Sequence, residues 1–152
     1  SWTNIKVPTI SKFIAIKDYI SLDVYFKKVV LQTSLVTIFC LLVFILAILF
    51  LDYFDMELRD RFLPTYAILL FSISTFINQF VYSMSTYLRC HKKEPFLYYS
   101  LVLGFSFAVT AFFFGKSFGL KGIVYSNFFI NGVLSLFWAA YIFKSKRIEW
   151  HK

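Results

Sequence analysis

Five hydrogen-bonding side chains and one cation recur at intervals of three and four residues through an otherwise apolar stretch. They are Ser72, Thr75, Gln79, Tyr82, Thr86 and Arg89. That spacing puts all six on one face of an α-helix, with Asn78 and Ser85 beside them. Hydroxyls and amides hold water and neutral polar ligands without fixing a charge, and a guanidinium at the end of the row attracts phosphate. Such a stripe has no reason to face hydrocarbon, where unpaired polar groups are costly. It either packs against other helices or lines a water-filled cavity. Arg89 reads either as a surface anchor or as a phosphate ligand, and Lys92 and Lys93 read as anchors.

Other chemistries find little support. The four apolar stretches described next contain no Asp, Glu, Lys, Arg or His. No paired carboxylates, His cluster or nucleophile with a nearby base lies in or beside them, so the chain does not read as an enzyme. The membrane-embedded carboxylate on which four-span multidrug exporters depend is missing too. With two His and two Cys in the chain, Cys90-His91 reads as a solvated loop pair rather than as metal ligands. Cys40 and Cys90 fall at different depths and are not expected to pair. No cofactor is implied.

The elements that must position the stripe are four uncharged stretches, residues 29–51, 62–88, 95–115 and 122–143. A helix rising about 1.5 Å per residue crosses a hydrocarbon core of about 30 Å in about 20 residues. Each stretch is that long, and none shows the period-2 alternation of a barrel strand. The expected fold is an all-α membrane protein of four transmembrane helices, preceded by an interfacial amphipathic helix. Residues 1–28 form the amphipathic segment, and residues 29–152 form the four-span region with a short tail.

The net charge is +8, and its distribution says more than its size. Twelve of the 16 Lys and Arg fall before the first span, between the second and third, or after the fourth. Arg59, Arg61, Lys116 and Lys121 fall on the other side, with Asp52, Asp55, Glu57 and Asp60 in the first outward loop. This bias predicts that both termini are cytoplasmic. The basic charge then orients the chain and meets anionic lipid, and does not mark a nucleic-acid interface. The first apolar stretch begins too late for a signal peptide. A chain opening on Ser1 reads as a piece of a longer membrane protein.

Local patterns refine the spans. Pro8-Thr9 reads as a helix entry. Ile10, Phe13, Ile14, Ile20 and Val24 fall at helical spacing, with Lys12 and Lys17 between them, and predict a helix lying at the interface. Ser21 or Asp23 is the expected cap of the next helix. Polar groups of the first span gather at Gln32, Thr33, Ser34 and Thr37, while residues 41–51 are apolar and expected to face lipid. Pro64 suits the first turn of the second span. In the third span Gly104, Ala108, Ala111 and Gly115 form a stripe of small residues that allows close helix approach, opposite a surface rich in Phe that includes Phe105, Phe107, Phe112 and Phe113. Residues 118–122 read as a tight connection. Asn127, Asn131 and Ser135 follow at intervals of four, and the two amides are expected to bond across to a neighbouring helix. Trp138, Tyr141 and Trp150 suit an interfacial belt.

Several features occur together in one family. The chain opens SWTNIKVPTIS, continues KFIAIKDY and DVYFKK, and ends its second span in YLRCHKKEPF. GKSFGLKGIVYS leads into the fourth span and YIFKSKRIEW closes it. This resembles the C-terminal third of a bacterial polysaccharide flippase of the Wzx or O-antigen translocase kind, in the superfamily of oligosaccharidyl-lipid and multidrug exporters. The resemblance implies a twelve-span, two-lobe transporter in the bacterial inner membrane. It implies a role in polysaccharide and lipopolysaccharide biosynthesis, moving an undecaprenyl-diphosphate-linked oligosaccharide from the inner to the outer leaflet. The implied partners are that lipid-linked oligosaccharide, membrane lipids and the remaining transmembrane helices of the full-length transporter. A complete four-span translocase acting as an oligomer, and a non-transporting membrane scaffold, are the alternatives.

Overall fold

A computed structural model describes residues 5–54, 62–91 and 96–150, and every regular element among them is helical. Residues 55–61, most of the loop from Asp52 to Arg61 that is expected to face outward, and Lys92, Lys93 and Pro95 of the next connection lie outside the described residues, as do the chain ends.

Helix α1 (Val7–Ala15) begins with Pro8 in its first turn, where a missing N–H does no harm. It stops because Lys17 adopts a left-handed φ of 55°. The Lys17 and Asp18 N–H groups turn back onto the carbonyls of Ile14 and Phe13, each at 3.1 Å. Helix α2 (Tyr19–Tyr53) then starts afresh. Its cap is Asp18, whose carboxylate accepts from the Ser21 N–H at 3.1 Å. The expected caps Ser21 and Asp23 both lie inside α2, and Ile20 and Val24 belong to α2 rather than to the interfacial helix. At about 1.5 Å per residue the 35 residues of α2 run about 52 Å, well past a bilayer core. Its C-terminal half exposes Leu42, Val43, Phe44, Leu46, Leu49 and Phe50.

Helix α3 (Thr65–Arg89) follows Pro64, which occupies the cap position with φ −53°. Helix α4 (Phe96–Asn127) reverses direction at Gly119, where φ is 60° and ψ −139°. The reversal brings Tyr99 back to Ser135, so that the phenol donates to the Ser135 carbonyl at 2.9 Å. Two glycines make this hairpin. Gly119 supplies the left-handed φ, and Gly122 lies so near the Phe114 backbone that a Cβ there would sit 2.1 Å from the carbonyl oxygen. A π-helical segment (Phe128–Leu134) and helix α5 (Ser135–Trp150) complete the returning arm.

Successive long arms run antiparallel. The start of α2 and the ends of α3 and α5 therefore meet at one end of the bundle, where Asp23 pairs with Arg147 and His91 packs on Trp150 with ring centroids 5.1 Å apart. Most of the described Lys and Arg lie here, so we call it the basic end. The main core collects there as well. Ile10, Leu22, Tyr87, Leu88 and Ala139 are fully buried, with Phe13 and Ile14 of α1 packed against them. Where water is the alternative environment, burying such side chains stabilises by about 1.5–3 kcal/mol each. Between lipid-facing arms that drive is absent, and packing and hydrogen bonds replace it.

Candidate functional site

Helix α3 is the inner helix. Its most apolar stretch has mean hydropathy 1.4, against 3.1 in α2, and α3 packs against every other element. Its stripe divides into three parts. At the end away from the basic cluster, Ser72 is buried and Thr75 exposed, and both line a crevice of about 210 Å³ against Leu41 and Phe44 of α2. At the basic end, buried Thr86 and exposed Arg89 line a cavity of about 530 Å³ beneath α1. Between these, at the centre of α3, Asn78, Gln79 and Tyr82 are half-buried.

Hydroxyls of α3 are satisfied by their own helix. Thr75 donates to the Phe71 carbonyl at 2.8 Å and Thr86 to the Tyr82 carbonyl at 2.9 Å. Ser74 and Ser83 do the same toward Leu70 and Gln79, at 3.0 and 2.9 Å. These two serines are more deeply buried than most of the predicted stripe. Ser74 turns toward the returning arm, away from the stripe, whereas Ser83 lies nine residues on, about 180° around the helix and close to the stripe. A Cβ added to Gly132 of the π segment would lie 3.5 Å from the Ser74 hydroxyl. The side-chain amides of Asn78 and Gln79 have no hydrogen-bond partner among the described residues. Neither amide closes onto its own turn as the hydroxyls do, so at mid-helix both leave donors and acceptors open to a partner from outside this bundle.

The small-residue stripe of α4 packs less than its sequence suggests. Gly104 and Ala108 are exposed, and nothing lies within 4 Å of a Cβ built on Gly104. Ala111 is half-buried, and Gly115 approaches Ile123 of its own hairpin, 3.1 Å from a built Cβ. Phe105, Phe112 and Phe113 are exposed, as a surface for lipid requires. Asn127 and Asn131 bond to each other along one helix, Nδ2 to Oδ1 at 2.9 Å, instead of reaching across to a neighbour. The π-helical register beginning at Phe128 sits directly on this pair, and such insertions recur at functional sites.

Cys90-His91 is not a solvated pair. The His91 ring lies against Tyr87 with centroids 5.3 Å apart, and its Nδ1 meets the Tyr87 carbonyl at 3.3 Å. Cys90 is half-buried, and burial pushes its thiol above its ordinary value, partly offset by a hydrogen bond with Ser11. Sequence reading missed the Ser11 contact and the Asp23–Arg147 pair. Both join distant segments, and no local spacing announces them.

The fold defines an α-helical membrane protein, with three helical stretches long and apolar enough to cross a bilayer: Tyr19–Tyr53, Thr65–Arg89 and Phe96–Trp150. No family model, curated protein or solved structure matches the chain.

Proposed function

We propose that this chain is the C-terminal four-pass unit of a twelve-span, two-lobe flippase of the bacterial inner membrane. It moves an undecaprenyl-diphosphate-linked oligosaccharide from the inner to the outer leaflet. The longest stretch crosses twice because it folds back at Gly119, and both chain ends lie in the cytoplasm with the basic end.

The observation that carries this reading is the pair of half-buried amides of Asn78 and Gln79 at the centre of α3, which have no hydrogen-bond partner among the described residues. Moving a hydrated oligosaccharide head through hydrocarbon strips its water at prohibitive cost. A protein lowers that barrier by offering neutral hydrogen-bonding groups along a wet path, and Asn78, Gln79 and Tyr82 form a short row of them. Exposed Gly104 and Ala108 offer a close-packing surface to the remaining helices of the transporter.

The test replaces Gln79 by Leu and Tyr82 by Phe together. Glycan export is expected to fall roughly tenfold or more, equivalent to about 1.4 kcal/mol in the transport barrier, while membrane insertion is unchanged. Export at the parent level with normal insertion would instead favour a scaffold without transport.

A further inference from the structure

The cavity beneath α1 combines two surfaces that suit one kind of ligand. One wall is apolar, from Val7, Ile14 and Ala15 of α1. The other carries Arg89, with Thr86, Cys90 and His91 from the end of α3, while Ser11 of α1 faces across. No acidic side chain among the described residues pairs with Arg89, whereas Arg147 at the same end is paired with Asp23. A guanidinium with no acidic partner among the described residues, on the rim of an apolar hollow, fits the phosphate of a lipid headgroup with the first carbons of its chain below. Free phosphate would leave the apolar wall unused. At about 530 Å³ the cavity is many times the roughly 30 Å³ share of one water molecule. The carbonyl end of α3 opposes an anion with about half a charge, which the full charge of Arg89 outweighs. Arg89 also borders a second cavity of about 270 Å³ formed with Phe96, Leu97 and Ser100 of α4, so its side chain is reachable from both sides.

We propose that this cavity is a binding site for a phosphate-bearing anionic lipid, with Arg89 as its phosphate ligand and α1 as its apolar lid. The lipid is an anionic glycerophospholipid of the surrounding leaflet, which sits at the same depth as this cavity at the basic end. The site rests on the membrane placement proposed above and not on transport itself.

Cys90 lines the cavity and serves as its reporter. The experiment uses the membrane-inserted protein with Cys40→Ala, reconstituted in phosphatidylcholine nanodiscs, and reads the rate at which a methanethiosulfonate reagent modifies Cys90. Phosphatidylglycerol, a polyprenyl diphosphate or inorganic pyrophosphate is added in separate arms. An anionic lipid is expected to slow the modification roughly tenfold, as expected for a charge-assisted phosphate contact. Arg89→Gln should abolish the protection, and Lys144→Gln, an exposed cation elsewhere at the same end, should leave it intact. An equal Cys90 rate in Arg89→Gln and parent without added lipid shows that the cavity survives the substitution; if the rates differ, the same comparison is made in Arg89→Lys, which should keep the protection. Protection by phosphatidylglycerol supports the site, and protection by the polyprenyl diphosphate alone overturns it as a bilayer-lipid site. Protection by pyrophosphate alone, protection that survives Arg89→Gln, or no protection in any arm overturns the proposal. A protein that fails the export test yet keeps Arg89-dependent protection loses the flippase reading and retains this site.

Discussion

Hydroxyl and amide side chains behave differently inside α3, and the difference locates the polar face that matters. Ser74, Thr75, Ser83 and Thr86 each close onto a carbonyl one turn back, so their presence needs no outside partner. Asn127 and Asn131 solve the same problem by pairing with each other. Asn78 and Gln79 are adjacent, point about 100° apart around the helix, and do neither among the described residues. At the basic end, the Asp23–Arg147 pair joins α2 to α5 beside the Tyr87 hydroxyl. The two side chains are 27% and 41% exposed, so solvent screens much of their attraction. A double-mutant cycle with Asp23→Ala and Arg147→Ala, read by unfolding in detergent, should return a coupling of up to about 1 kcal/mol. Zero coupling would mean that the pair does not hold the helices together. The stripe itself was legible from spacing alone. The division of its members into buried, half-buried and exposed was not, because it depends on where α1 and α2 settle against α3.

At the scale of elements, breaks are decided by single residues. Lys17 in the left-handed region and the Asp18 cap separate α1 from α2. Periodicity across Ile10 to Val24 could not see this break, since both helices carry the same apolar spacing. The Ser21 side chain and N–H hold the Asp18 carboxyl below the usual carboxylate range. This contribution to the joint is present above the unfolded pKa and is lost as pH falls through the folded one. The connection at residues 118–122 was legible from its glycines, and the structure shows why both are needed. Gly119→Ala should destabilise by about 1–3 kcal/mol, because φ 60° with ψ −139° is a conformation that residues with a Cβ avoid. Gly122→Ala should do more damage, because its Cβ meets a backbone carbonyl that cannot swing aside. Thermal unfolding in detergent checks the order. A Gly122→Ala protein as stable as the parent would mean that the two arms do not close as described.

At the scale of the whole molecule, charge and hydrophobic burial gather at the same end. Lys and Arg crowd there with the main core, while the arms expose Leu, Ile and Phe along their length. Composition made the membrane class and the four apolar stretches legible. How closely the arms fold back at Gly119, and how α1 settles against the ends of α2 and α3, were not, because both depend on contacts between distant segments. The central claim is that the middle of α3 faces water inside a transporter, and cysteine accessibility tests it most directly. In a protein lacking Cys40 and Cys90, Gln79→Cys and the lipid-facing Leu46→Cys are each exposed to a membrane-impermeant thiol reagent in intact membranes. A wet lumen predicts that position 79 reacts readily and position 46 does not. Equal failure to react at both positions would contradict the claim and place Gln79 in a dry helix interface.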